Sequence, residues 1–241
     1  MELFSTAYDN WSSYFESQEK TKDLFAPNRQ RGYYPFKSEN AKGFSKKDLK
    51  EFFHLYPDMC LGEMHGGEDT WNLYNAMNTL GQELLKQIND NCEVKFSVPL
   101  QEMAEESPQT LLRILHYPPI GDDEDGAVRA AAHEDINLIT LLPAATYPGL
   151  QVKDSEGKWI FADMHVPKDA IIVNAGDMLQ EASKGYFKST THRVVNPIGP
   201  GAAISRYSMP MFIHPHPNVR LSDKYTAGEY LDERLRELGL K

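Results

Sequence analysis

Cysteine is scarce in this chain: Cys60 and Cys92 are its whole complement in 241 residues, and they form no Cys-x-x-Cys pair. That excludes a disulfide scaffold and a thiolate zinc site, and it predicts a reduced, cytoplasmic setting with both cysteines structural. Positive charge is in deficit, with 25 Lys and Arg against 35 Asp and Glu and a formal charge of −10. No basic stripe runs through the sequence, so neither nucleic acid nor an anionic membrane is an expected partner. Long apolar runs are missing, so no segment is read as spanning a bilayer. The opening Met1-Glu2-Leu3-Phe4 has neither the basic n-region nor the apolar h-region of a secretory signal. Internal repeats and low-complexity tracts are also lacking, and no composition break marks a domain boundary.

What is present is apolar enough, at 41% hydrophobic residues, to bury the core of one domain. Phe4, Tyr8, Trp11 and Phe15 recur at helical spacing and predict a helix over roughly 4–25, ended by Pro27. Arg29 to Phe36 reads as a loop or short strand. Ser45-Lys46-Lys47-Asp48 has the form of a capping box opening a short helix to Phe53. Pro57 to Asp69 reads as a glycine-containing loop. Trp71, Tyr74, Met77, Leu84 and Ile88 share a face and predict a helix over roughly 70–90. After Cys92 the texture changes to strands, at 94–98, 110–117, 128–133, 136–142, 149–153, 158–161, 170–173, 187–195 and 202–213. Turn signals such as Pro148-Gly149 and Asp154-Ser155-Glu156-Gly157 separate them. Asp122-Asp123-Glu124-Asp125-Gly126 lacks the spacing of a calcium loop and reads as a solvated loop. Leu231, Leu235 and Leu238 predict a C-terminal helix. The whole is a mainly β, single-domain chain with flanking helices: a mostly helical flank over 1–93, a jelly-roll core over 94–214 and a C-terminal helix over 215–241.

Three motifs carry chemistry. Ala132 to Leu142 reads as a strand with two metal ligands at its mouth, because in an extended chain His133 and Asp135 point to the same side. His192 stands well downstream in the β-rich stretch Ser189-Thr190-Thr191-His192-Arg193-Val194-Val195. Two histidines and one carboxylate form the facial triad of non-haem Fe(II) oxygenases, which leaves three coordination positions open. In Arg206-Tyr207-Ser208 a guanidinium and a hydroxyl again share a face, a pairing suited to a carboxylate. Two other clusters are less organised. His214-x-His216 lies between prolines without a third ligand and reads as surface, and Glu63, His65, Glu68 and Asp69 show no ligand periodicity.

On His133-x-Asp135, His192 and Arg206-x-Ser208 the chain resembles the isopenicillin N synthase-like branch of the Fe(II)/2-oxoglutarate-dependent dioxygenases. Arg31-Gly32-Tyr33-Tyr34, Leu112 to Pro119, Gly149-Leu150-Gln151-Val152 and Gly176-Asp177-Met178-Leu179 support the resemblance, which runs from about Arg31 to the C-terminus. It implies a distorted jelly roll, the double-stranded β-helix. It further implies Fe(II) on His133, Asp135 and His192, with 2-oxoglutarate and O2 as cosubstrates. The expected reaction is hydroxylation or oxidation of a small molecule with decarboxylation of 2-oxoglutarate to succinate. Arg206 and Ser208 would hold the distal carboxylate of 2-oxoglutarate, with Tyr117 a further contact. Members often carry Asn two places before that Tyr, where this chain has Leu115. Arg31 and Arg113 are the candidates for a carboxylate-bearing substrate. Members of the branch usually open with an extra strand–helix–strand segment ahead of the first helix read here. Two alternatives stand beside this reading: an Fe(II) oxidase that needs no 2-oxoglutarate, whose Arg-x-Ser pair grips the substrate's own carboxylate, and a non-enzymatic jelly-roll binder. A halogenase is excluded because Asp135 fills the place a halide would take.

Overall fold

Among the described residues, eleven short strands in two antiparallel sheets form the body of the protein, and a layer of helices covers one of them. This is a computed structural model; it describes residues 2–25, 30–39, 46–121, 126–164, 166–167 and 169–237. The larger sheet holds β1 (Gly32–Tyr34), β2 (Glu51–Leu55), β3 (Leu111–Tyr117), β11 (Met211–Ile213), β5 (Ile139–Pro143) and β8 (Ile171–Ala175) in that order, with β10 (Arg206–Ser208) also paired to β3. The smaller runs β4 (Ala130–His133), β9 (His192–Val194), β6 (Leu150–Lys153), β7 (Trp159–Phe161). Side chains alternate across the larger sheet. Leu112, Ile114, Ile139, Leu141, Met211 and Ile213 pack under the helices. Leu115 and Tyr117 face the other way and meet Ala130 and Val194 of the smaller sheet. The result is the mainly β, distorted jelly roll with flanking helices that the sequence predicts.

The helical layer is built on aromatic burial. Helix α1 (Glu2–Glu16) buries Tyr8, Trp11, Tyr14 and Phe15, each large side chain contributing about 1.5–3 kcal/mol. Trp11 also donates its indole N–H to Thr70 Oγ1 at 3.0 Å. Helix α2 (Gly67–Asp90) lies across the sheet at Gly81, where a Cβ would stand 2.8 Å from Ile213 Cδ1. Glycine there lets helix and strand approach more closely than alanine allows.

Several sequence expectations are corrected. Helix α1 stops at Glu16, once its apolar stripe is spent, and Ser17 caps a 3-10 turn over Gln18–Asp23. The predicted stop at Pro27 lies outside the described residues, as do Ser45, Leu238 and the acidic run 122–125. The short helix to Phe53 is instead strand β2, with all five residues buried and paired to β3 through Glu51↔His116 to Leu55↔Leu112. Pairing on both flanks overrides a weak helix signal. Asp48 caps no helix; its carboxylate accepts from Ala131 N at 3.0 Å and from Lys50 at 2.9 Å. The loop at 57–69 contains a 3-10 turn, Glu63–His65, and α2 begins within it. Residues 94–98 are irregular and are followed by α3 (Leu100–Ala104). The span 202–213 is two strands interrupted at Met209-Pro210, since proline has no N–H for the ladder. Helix α4 (Asp177–Ala182) escaped prediction, while α5 (Ala227–Glu237) matches it.

Candidate active site

The two sheets meet at a pair of histidines. His133 on β4 and His192 on β9 are directly opposed, with ring centroids 4.4 Å apart. A bulge between Ala130 and His133 adjusts the register of β4 to bring this about. Each ring is turned by its own strand: His133 Nδ1 lies 2.7 Å from Ala131 O, and His192 Nδ1 lies 3.0 Å from Thr190 O. A carbonyl only accepts, so Nδ1 carries the proton in each ring and the lone pair sits on Nε2. Those two nitrogens face Asp135 Oδ1 at 4.0 Å and 3.6 Å. Among the described residues these three donors form a group of metal-ligand type, all within 4.8 Å of one another.

Asp135 reaches that point by a different route from the one its sequence suggests. Ala132 to Leu142 is no single strand. It leaves the smaller sheet at His133, turns through 134–138, and enters the larger sheet as β5 at Ile139. The turn is pinned from below: Asp177 N donates to Asp135 O at 2.8 Å and Gly176 N to Leu138 O at 2.9 Å. A Cβ on Gly176 would meet Asn137 O at 2.5 Å and Asp135 O at 2.8 Å, so only glycine fits. Asp135 Oδ2 accepts from Thr140 Oγ1 at 2.7 Å and from Asn174 Nδ2 at 3.0 Å, which leaves Oδ1 free to face the imidazoles.

The electrostatics favour metal ligation at neutral pH. Burial presses the His133 pKa down to about 4, and the neighbouring His192 adds to the effect, so the imidazole is neutral as a ligand must be. Burial alone would raise the Asp135 carboxyl, but the two imidazoles and the hydrogen bonds from Asn174 and Thr140 outweigh it and hold the group below its ordinary range. Two imidazoles that turn Nε2 to the shared point and one carboxylate fit a hard-to-borderline divalent cation such as Fe(II).

Arg206, Ser208 and Tyr117 lie on the paired strands β10 and β3, Ser208 opposite Leu115. Arg206 pairs with Tyr117 across β10 and β3, and its guanidinium carbon stands 5.1 Å from the Tyr117 ring centre. Arg206 is 1% exposed and Ser208 3%. Arg206 Nε donates to Tyr147 O at 2.8 Å and its Nη2 lies 3.8 Å from Asp163 Oδ2, while Nη1 is buried without a partner. A buried donor left open is costly unless a ligand fills it. Arg129, which the sequence reading passed over, lies beside this cluster and is fully buried. An arginine among Ala127, Val128, Ala130, Ala131 and Ala132 was the available signal.

The two other arginines differ. Arg113 lies on the inner face of β3 with Leu115 and Tyr117, between the rings of Phe52 at 4.7 Å and Phe212 at 5.4 Å. Its Nε donates to His54 Nε2 at 2.7 Å, and Nη1 meets Glu39 at 3.4 Å. Arg31 is ion-paired with Asp58 and lies over Tyr56 at 4.9 Å; no described contact joins it to the triad. His214 is buried, which overturns its reading as a surface residue. It faces the same interior, its Nδ1 has no partner, and burial lowers its pKa to about 4. His216 Nε2 bonds Glu105 O at 2.7 Å. His65 is likewise buried, bridging Gly62 N and Asp23.

Comparisons with known proteins agree with this geometry. The family model for the 2OG-Fe(II) oxygenase superfamily matches residues 108–215. The 2-oxoglutarate-dependent dioxygenase citB of Monascus ruber is 30% identical over 230 residues, covering 84% of this chain and 68% of that protein. A 2-oxoglutarate-Fe(II) type oxidoreductase of Aspergillus fumigatus is 32% identical over 227 residues, covering 83% of this chain and 63% of its own length. Among solved structures, an oxygenase-class protein of Shewanella oneidensis superposes with a TM-score of 0.85 at 49% identity, over 100% of this chain and 87% of that one. A 2OG-Fe(II) oxygenase family protein of Caulobacter crescentus does so at 0.79 and 30% identity, over 98% and 86%. The chain belongs to the 2OG-Fe(II) oxygenase superfamily. It is an Fe(II)- and 2-oxoglutarate-dependent oxidoreductase, with O2 as the second cosubstrate.

Proposed function

We propose that the protein hydroxylates or otherwise oxidises a small, carboxylate-bearing molecule, with Fe(II) on His133, Asp135 and His192 and the distal carboxylate of 2-oxoglutarate on Arg206 and Ser208. The observation that carries this reading is the freed donor set: two Nε2 lone pairs and Asp135 Oδ1 share one point, and each ligand's other polar atom is already occupied. The unpartnered Nη1 of buried Arg206 supports the second half.

When bound, the iron and 2-oxoglutarate supply the oxidation: O2 is consumed, 2-oxoglutarate is split to succinate and CO2, and one oxygen atom is delivered to a substrate C–H bond. The residues of the chain orient and shield. Thr140 and Asn174 hold Asp135 in one rotamer. The Ala131 and Thr190 carbonyls fix the two imidazole tautomers. Tyr117 and the Arg206 stem close the floor beside the clamp, which excludes water from the reacting centre.

Arg113 is the better of the two substrate anchors. It is held between two aromatic rings and oriented by His54 and Glu39, so little freedom is lost when it meets an anion. Arg31, ion-paired with Asp58 over the Tyr56 ring and with no described contact to the triad or to the aromatic rings around Arg113, is the weaker candidate. The net charge of −10 supports a small-molecule partner over nucleic acid. No helix among the described residues is long and apolar enough to cross a membrane, and two free cysteines are consistent with a cytoplasmic setting.

The test is an anaerobic titration of the Fe(II)-loaded protein with 2-oxoglutarate. A visible metal-to-ligand charge-transfer band that saturates is expected. Iron bound without any response to 2-oxoglutarate would overturn the cosubstrate assignment.

A further inference from the structure

We propose that Arg129 is a second guanidinium for the distal carboxylate of 2-oxoglutarate, acting beside Arg206 to select a dicarboxylate cosubstrate. The inference rests on the reading of the Arg206 site given above and adds a residue to it.

Arg129 stands one position before β4 and is 0% exposed. Its Nη2 donates to the Ile204 carbonyl at 2.7 Å, whereas Nε and Nη1 are buried without a partner. Ile204 is two residues ahead of Arg206, so this bond ties the Arg129 guanidinium to the start of the strand that carries the clamp. The charged and phenolic groups that bear on Arg129 among the described residues are Arg206, Tyr117 and Tyr147. Arg206 is bonded to the backbone of that same Tyr147 and lies over that same Tyr117. Burial, aided by the like charge of Arg206, draws the Arg129 pKa down to about 10.

A buried cation without a counter-charge is among the costliest features a fold can carry. Among the described residues the local account is two guanidiniums against one carboxylate, Asp163, which lies 3.8 Å from Arg206 Nη2. Asp163 Oδ2 accepts from Gly149 N and Leu150 N at 2.9 Å each, while its Oδ1 is buried without a partner, so Asp163 offers one negative charge and one open acceptor to two guanidiniums. One positive charge and three guanidinium nitrogens without a partner, Nε and Nη1 of Arg129 and Nη1 of Arg206, are left among the described residues. A single carboxylate supplies one negative charge and four lone-pair sites in a plane, which suits both deficits at once. The bland alternative is that Arg129 only pins the carbonyl of Ile204 after the 3-10 turn Gly199–Ala203. That role uses Nη2 and leaves the two unpartnered nitrogens, Nε and Nη1, unexplained.

The experiment compares two 2-oxo acids on the full chain loaded with Fe(II) without oxygen: 2-oxoglutarate, and 2-oxopentanoate, which chelates the metal alike but has no distal carboxylate. Dissociation constants are read by calorimetry for wild type, Arg129→Lys and Arg129→Met. Loss of Arg129 in the Met variant is expected to weaken 2-oxoglutarate by about tenfold or more while 2-oxopentanoate changes by less than about twofold. Lys, which keeps the charge but not the planar fork, is expected to fall between. Equal effects on the two acids, or none, would mean a structural role and overturn the proposal. If Arg129→Met does not fold, the same ratio read on Arg129→Lys decides. Wild type that binds no 2-oxoglutarate would defeat the clamp assignment itself, whereas wild-type binding that ignores Arg129 defeats this inference alone.

Discussion

Thr140 donates its hydroxyl proton to Asp135 and cannot do otherwise, because Asn137 Nδ2 already donates to Thr140 Oγ1 at 2.8 Å. The chain Asn137 to Thr140 to Asp135 is thus polarised in one direction, toward the carboxylate. Asn174, opposite Thr140 across β5 and β8, adds a second donor.

Thr140→Val keeps the shape of the side chain and removes this donor. It also leaves the buried Asn137 amide without its acceptor. Metal affinity is expected to fall by roughly 10–100-fold, the range typical of residues that orient a ligand. Asn174→Ala is expected to act in the same direction. The measurement is Co(II) or Fe(II) binding followed by absorbance; unchanged affinity in both variants would remove these residues from the orientation of Asp135.

Gly176→Ala places a methyl against two backbone carbonyls, those of Asn137 and Asp135, which have no rotamer to escape into. The turn that carries Asp135 must shift. A loss of about 1–3 kcal/mol in stability is expected, the usual cost of forcing atoms into a packed site. Weaker metal binding should accompany it. Denaturant unfolding with and without metal separates the two effects, and a variant as stable as wild type would contradict the close approach described here.

Acid should unfold the metal-free protein early. Burial lowers His54 from 6.5 to about 3 and His214 from 6.5 to about 4. Above pH 6.5 both rings are neutral, folded or not, and contribute nothing. As pH falls from 6.5 toward 4, the unfolded chain binds protons that the folded protein excludes, so stability drops. The slope approaches about 1.4 kcal/mol per pH unit for each ring. Glu39 and Asp135, held below the ordinary carboxylate range, add to the loss only below about pH 5. Unfolding midpoints between pH 7 and 4 check this. His54→Gln is expected to flatten the curve by one proton, and an unchanged slope would show that His54 titrates normally.

Arg206→Met and Ser208→Ala should separate by size. Loss of a buried guanidinium facing a carboxylate costs about 2–5 kcal/mol, roughly 30-fold or more in affinity for 2-oxoglutarate. Loss of one hydroxyl hydrogen bond costs about 1–2 kcal/mol. Equal affinities for 2-oxoglutarate in Arg206→Met and wild type would assign the clamp to another ligand.

Much of the site was legible because its parts are short-range. Arg206 and Ser208 share a face of β10 for the reason an alternating strand predicts. His192 stands where β-rich sequence places it. Asp135 does come to the two histidines, but by a different route from the strand read in the sequence, since it belongs to a turn between two sheets. What positions it is Gly176, Thr140 and Asn174, far along the chain, and only the polar side chains within apolar strands hinted at them. The fold was legible where period-2 alternation ran long, as in β3, and illegible at β2. There Lys46, Lys47 and Asp48 suggested a helix start, but pairing on both sides decided otherwise. His214 was misjudged because flanking prolines suggest a surface turn, whereas pairing of Ile213 to Ile139 keeps the chain under the sheet for one residue more.

The two imidazoles and the carboxylate are held by different kinds of support, and that sets how each can drift over evolution. Each histidine is oriented by the carbonyl two residues before it, a group that every amino acid supplies. Positions 131 and 190 are therefore open to substitution by any side chain that fits, at no loss of ring orientation. The carboxylate depends on a hydroxyl and an amide that particular residues must provide, so the tolerance of its supporting positions is narrow. Across related chains, variation should concentrate behind the histidines and thin out at 140, 174 and 176.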